Sequence, residues 1–139
     1  MLSIFFVFFL RDIYNLLYGI IRLYKELEYF EFHDAIIYLY DFKDNRIVLD
    51  IDSDWDFNSS IKLEFIEAII SEDLSGDMEL SNNSIDIYTA DIRYYVDFGY
   101  YCYFELIINN PSIIGVRKKN ITITSKDIIV TRHKTNDNY

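Results

Sequence analysis

From Arg46 to Phe57 apolar and acidic residues alternate: Ile47, Leu49, Ile51, Trp55 and Phe57 share one parity, and Asp50, Asp52, Asp54 and Asp56 the other. Side chains two apart lie on one face of a strand. The pattern therefore predicts a strand with an apolar face and a row of four carboxylates roughly 7 Å apart. Residues 30–42 read as its hairpin partner across the polar turn Lys43, Asp44 and Asn45.

Upstream, Leu2 to Leu10 is apolar except for Ser3. It predicts a buried strand or the buried start of a helix, because a bilayer span needs about 20 apolar residues and a signal peptide needs a basic lead and a cleavage site. Arg11 to Glu28 has the helical period, with Ile13, Leu16, Leu17, Ile20, Ile21, Tyr24 and Leu27 on one face. That face is expected to pack on a sheet, since Arg22 and Lys25 are balanced by Asp12, Glu26 and Glu28 and leave little of the cationic side of an interfacial helix.

After the acidic row, Asn58, Ser59 and Ser60 are good N-cap residues. They predict a second helix to about Leu74, with Ile61, Phe65, Ala68 and Ile69 inward, Glu64 and Glu67 outward, and Ser75 and Gly76 as the stop. The remainder reads as strands at Met78–Leu80, Ile85–Thr89, Ile92–Val96, Tyr100–Ile108, Ile113–Arg117, Ile121–Thr124 and Ile128–Arg132. The expected fold class is α+β: a single domain over residues 1–133 with two helices packed on a mainly antiparallel sheet, and a short flexible tail at 134–139.

Composition narrows the function more than the fold. With 51% hydrophobic residues, 13 Tyr and 11 Phe, the chain is no disordered acidic tail. A formal charge of −10 disfavours direct binding to nucleic acid and to anionic membrane surfaces and points to a basic partner. The charge is uneven, since residues 117–139 hold six of the 13 basic residues and only two acidic ones. Cys102, the single cysteine, has no disulfide partner and fits a reducing, cytoplasmic setting. The abundance of Ile, Asn, Tyr, Phe and Lys fits an A/T-rich accessory bacterial, phage, other viral or organellar gene.

Candidate chemistry is sparse. Read as a calcium loop, Asp50, Asp52 and Asp54 are followed by Trp55 where glycine is needed and Ile61 where a bidentate Glu is needed. His33 and His133 stand a hundred residues apart, and Asp34 with Asp41 and Lys43 echoes a nuclease pattern only through common residues at loose spacing. No phosphate loop, nucleophile elbow or Cys/His metal framework occurs. The expectation is a non-enzyme without cofactor or metal, with an enzyme using the acidic row as the lesser reading.

Seven aromatics crowd Tyr94 to Phe104, and alternation sends some outward, with Tyr95 or Tyr94, together with Tyr101 and Tyr103, as the expected outward set. Beside Asp50, Asp52, Asp54, Asp56, Glu64 and Glu67 they would make an aromatic anchor in an acidic surround, suited to a basic protein. The expected function is a small acidic protein that neutralises such a partner: an immunity protein, or antitoxin, blocking a bacterial toxin domain such as a contact-dependent or polymorphic nuclease toxin. The alternatives are a structural subunit of a viral or organellar assembly and a phage inhibitor that mimics nucleic acid.

Overall fold

A computed structural model describes residues 2–27, 30–53, 59–81, 84–109 and 116–134. Asp54, Trp55, Asp56, Phe57 and the expected tail beyond Lys134 lie outside them. The described elements are helix α1 (Leu2–Leu27), strands β1 (Ile36–Lys43), β2 (Arg46–Asp52), β3 (Ser59–Ile66) and β4 (Ile69–Ile70), helix α2 (Ser75–Leu80), and strands β5 (Ile85–Tyr95), β6 (Gly99–Asn109), β7 (Val116–Ser125) and β8 (Asp127–Lys134).

Local sequence accounts for the hairpins. Asp44 and Asn45 both take positive φ (53° and 60°), and Lys43 pairs with Arg46, which is the two-residue turn whose twist matches the flanking strands. β5 and β6 meet through Val96, Asp97 and Phe98, with Tyr95 opposite Gly99 at φ 104°. Glycine is required there, because a Cβ would stand 2.5 Å from the Ser125 carbonyl oxygen.

The eight strands form one antiparallel sheet in the order β4-β7-β6-β5-β1-β2-β3-β8. Its two ends are parts of the same strand pair. β3 pairs with β8 from Ser59↔Lys134 to Ile66↔Asp127, and β4 pairs with β7 at Ile69↔Thr124 and Ile70↔Ile123, in one unbroken register. β3 with β4, and β7 with β8, are thus two long strands that bend together at Glu67 and Lys126, where Lys126 N donates to Ile66 O at 3.0 Å and Glu67 takes φ 49°. The sheet therefore closes into a barrel of six strands. Its thinnest seam is β1 to β5, paired at Ile36↔Asp86 and Ile37↔Ile85. The interior is filled by side chains of one parity, among them Ile37, Leu49, Leu63, Phe65, Phe104 and Leu106.

Several expectations change. Residues 59–66 are strand, not helix: Ile61, Leu63 and Phe65 are buried at period two, and Lys62 and Glu64 face out. Ile61, Phe65, Ala68 and Ile69 also fit helical spacing, and burial of Leu63 shows which period won. The second helix is the short α2 at Ser75–Leu80, where a helix stop and then a strand were expected. The stretches Ile85–Thr89 and Ile92–Val96 join in one strand, β5, with a bulge between Ile87 and Thr89. The apolar start resolves as helix, continuous with the rest of α1. Leu17 and Ile21, expected to face inward, are exposed, and Leu23 is the buried residue of α1 among those described. The architecture is mostly sheet with two small helical contributions, α+β in the broad sense.

Candidate functional site

Of the acidic row, Asp50 and Asp52 fall on the outer face of β2, and Asp54 and Asp56 lie outside the described residues. Asp50 is opposite Lys62 and Asp52 opposite Ser60 on β3. Partial burial, and then the neighbouring Asp50 charge, raise the Asp52 pKa above the ordinary carboxylate value. The same two carboxylates add to burial in raising the Tyr38 hydroxyl. Glu64 is held within the fold by Arg46 and by Lys62 at 3.3 Å. Burial works against its ionisation, but the bonds from Arg46 and Lys62 outweigh it and lower its pKa. The outer face of β2 and β3 is consequently mixed in sign.

Tyr95, Tyr101 and Tyr103 take the outward parity of β5 and β6. Tyr95 stacks on Phe98 at 5.1 Å and meets Tyr101 edge-on at 6.3 Å. Tyr103 donates its hydroxyl to Glu105 Oε1 at 3.2 Å. Tyr94 and Tyr100 have the inward parity and pack edge-to-face at 5.0 Å. Closure separates these tyrosines from the acidic strand, because β2 and β6 stand three strands apart in either direction around the barrel. Asp50 and Asp52 are thus not brought beside Tyr101 and Tyr103.

One expected acid does meet the aromatic hairpin. Glu67 lies at the strand bend, about seven residues and roughly 23 Å along β3 from the Asp52 end. Together with Ile69, Tyr94, Val96, Asp97 and Phe98 it lines a cleft of about 650 Å³ at the hairpin tip. Val96 is 78% exposed and Ile69 73%, with Phe98 also exposed. Exposed apolar side chains gathered around a concavity are what a partner surface buries. Lys126, 3.6 Å from Glu67, and Asp97 add charge to the rim. The hairpin was legible in Phe98 and Gly99; the approach of Glu67 and Ile69, thirty residues earlier, depends on barrel closure.

Groups with chemical potential elsewhere are occupied by structure. The Cys102 thiol is buried between strands, and burial followed by the Asp91 charge pushes its pKa up, away from a nucleophile. His33 Nδ1 lies 2.7 Å from the Tyr88 carbonyl oxygen, so that nitrogen carries the proton, and Nε2 lies 3.5 Å from Asp34. The side chain of His133 is outside the described ones. Among the described residues no three His, Cys, Asp or Glu side chains converge on a metal position. No protein-family model, curated protein or solved structure matches the chain.

Proposed function

We propose that the protein is a small acidic binding module that neutralises a basic protein partner, an immunity protein acting on a bacterial toxin domain in the cytoplasm. The observation that carries this reading is the cleft at the β5–β6 tip, where Val96, Phe98 and Ile69 stand exposed beside Glu67 and Asp97. Exposing them costs free energy that the core gains nothing from, and Tyr95 braces Phe98 by stacking on it. An apolar or aromatic partner side chain flanked by Lys or Arg fits both the cleft and its rim. The chain's charge of −10 then speeds encounter with a cationic domain. The mixed signs of Arg46, Lys62 and Glu64 on the β2–β3 face favour this anchor over a phosphate-like line of carboxylates.

The test is calorimetric titration against the toxin domain encoded beside the gene. Phe98→Ala with Val96→Asp is expected to weaken binding on the order of a hundredfold, with the fold retained. Asp50→Asn with Asp52→Asn should flatten the salt dependence and leave affinity at high salt unchanged. Full affinity in the hairpin variant would sink the reading.

A further inference from the structure

Glu67 stands at the strand bend with φ 49°, a backbone conformation that a residue carrying a Cβ adopts at a cost. Its side chain is 67% exposed, and its ion pair with Lys126 is long, 3.6 Å, between two exposed partners. A pair of that kind contributes little to the fold. The strained bend thus holds a carboxylate at the β5–β6 cleft without a return in stability.

The lining of the same cleft is rich in oxygen. Asp97 adds a second carboxylate. A Cβ at Gly99 would stand 2.5 Å from the Ser125 carbonyl oxygen and 3.2 Å from that of Lys126, so both oxygens border the space that glycine leaves empty. Ser125 is 2% exposed, and its hydroxyl has no hydrogen-bond partner among the described residues. Buried polar groups are paired as a rule, and one left unpaired calls for an explanation. A donor brought by a ligand supplies it.

Carboxylates and carbonyls only accept hydrogen bonds. The ligand that fits is therefore positively charged and rich in donors, and it tolerates apolar walls, because Ile69, Val96 and Phe98 share the lining. A guanidinium meets these demands with five N–H donors in a planar fork, a permanent charge, weak hydration and a face that stacks on an aromatic ring. The exposed ring of Phe98 offers that stack. An ammonium is a compact, strongly hydrated point charge and gains less from such walls.

We propose, resting on the reading of a basic protein partner, that the cleft is an arginine site. The partner's guanidinium displaces Lys126 from Glu67, stacks on Phe98 and offers its remaining donors to Ser125. The Glu67–Lys126 pair is an internal stand-in that keeps the carboxylate paired until the partner arrives.

The test titrates Nα-acetylarginine amide into the full chain, with the lysine and citrulline amides as controls, while NMR follows the backbone amides of Val96, Phe98, Gly99 and Lys126. The arginine amide should shift them saturably, the lysine amide should bind several-fold more weakly, and the uncharged citrulline amide should leave them in place. Glu67→Gln should weaken the arginine amide at least about tenfold. Lys126→Gln, which removes the competing cation, should tighten it about two- to fivefold, whereas Lys43→Gln, the same change of charge at another exposed position, should not. Citrulline acting like arginine, lysine binding as well as arginine, Glu67→Gln leaving the affinity unchanged, or Lys126→Gln weakening it overturns the site. Calorimetry with the toxin domain separates the site from the reading it rests on. Toxin binding that is lost in Phe98→Ala with Val96→Asp but unchanged in Glu67→Gln overturns the arginine site and keeps the reading. Arginine-amide binding by a chain with no affinity for the toxin domain keeps the site and overturns the reading.

Discussion

Lys119 holds two carboxylates from the segment around α2. Its Nζ lies 2.5 Å from Asp77 Oδ2 and 2.9 Å from Glu72 Oε2, with both Lys119 and Asp77 close to buried. Partial burial lowers the ammonium pKa, but the bonds to Asp77 and Glu72 outweigh it, so the net shift is upward from 10.5. The sign follows: stability from this pair is fully present below pH 10.5 and is lost as pH rises through the higher folded value. Lys119→Met leaves Asp77, among the described residues, with the more distant Arg117 at 3.8 Å, and should cost about 3 kcal/mol in urea unfolding at pH 7. The variant should also lose the alkaline limb of the stability curve. Glu64 and Asp73, whose pKa values are lowered, contribute at the other end, with stability that is lost as pH falls below the ordinary carboxylate range. An unchanged alkaline limb in Lys119→Met would show that the pair is not what holds α2 to β7.

At the scale of elements, the concerted bend of β3–β4 and β7–β8 is where the barrel turns its corner, and the β5–β6 hairpin is seated against it through Gly99. Gly99→Ala meets two penalties, a positive φ and a Cβ 2.5 Å from the Ser125 carbonyl oxygen. It should destabilise by about 2–4 kcal/mol, measured as a shift in the urea midpoint at unchanged slope. A neutral outcome would mean the corner has slack. The misread helix over residues 58–74 belongs to this scale too. Ile61 and Phe65 fit both periods, Ala68 and Ile69 extend the helical one and Leu63 the strand one, and the ladders to β2 and β8 decided for strand by satisfying the backbone on both edges. The β1–β2 hairpin had no such ambiguity, because Asp44 and Asn45 are turn residues between two runs of clear alternation.

For the molecule as a whole, closure leaves one weak seam. β5 and β6 pair along nearly their full length, whereas β1 and β5 share two residue pairs, helped by Asp34 N to Ile87 O at 2.8 Å and Ile87 N to Ala35 O at 2.7 Å. Hydrogen exchange is expected to open there first, with the amides of Ile36, Ile37 and Ile85 less protected than those of Cys102, Phe104 and Ile123. Equal protection across both regions would contradict the seam.

Inward and outward parity of β2 and β6, the tight turn at Asp44 and Asn45, and the helical period of residues 11–27 were determined by the sequence itself, because periodicity and turn chemistry are local. Tertiary structure decided which faces share a side of the molecule. Closing the sheet set β2 and β6 opposite one another and carried Glu67 and Ile69 to Phe98. The physical reason is that pairing between distant segments is chosen by the total of buried surface and satisfied backbone over the whole barrel, a quantity that no window along the chain contains.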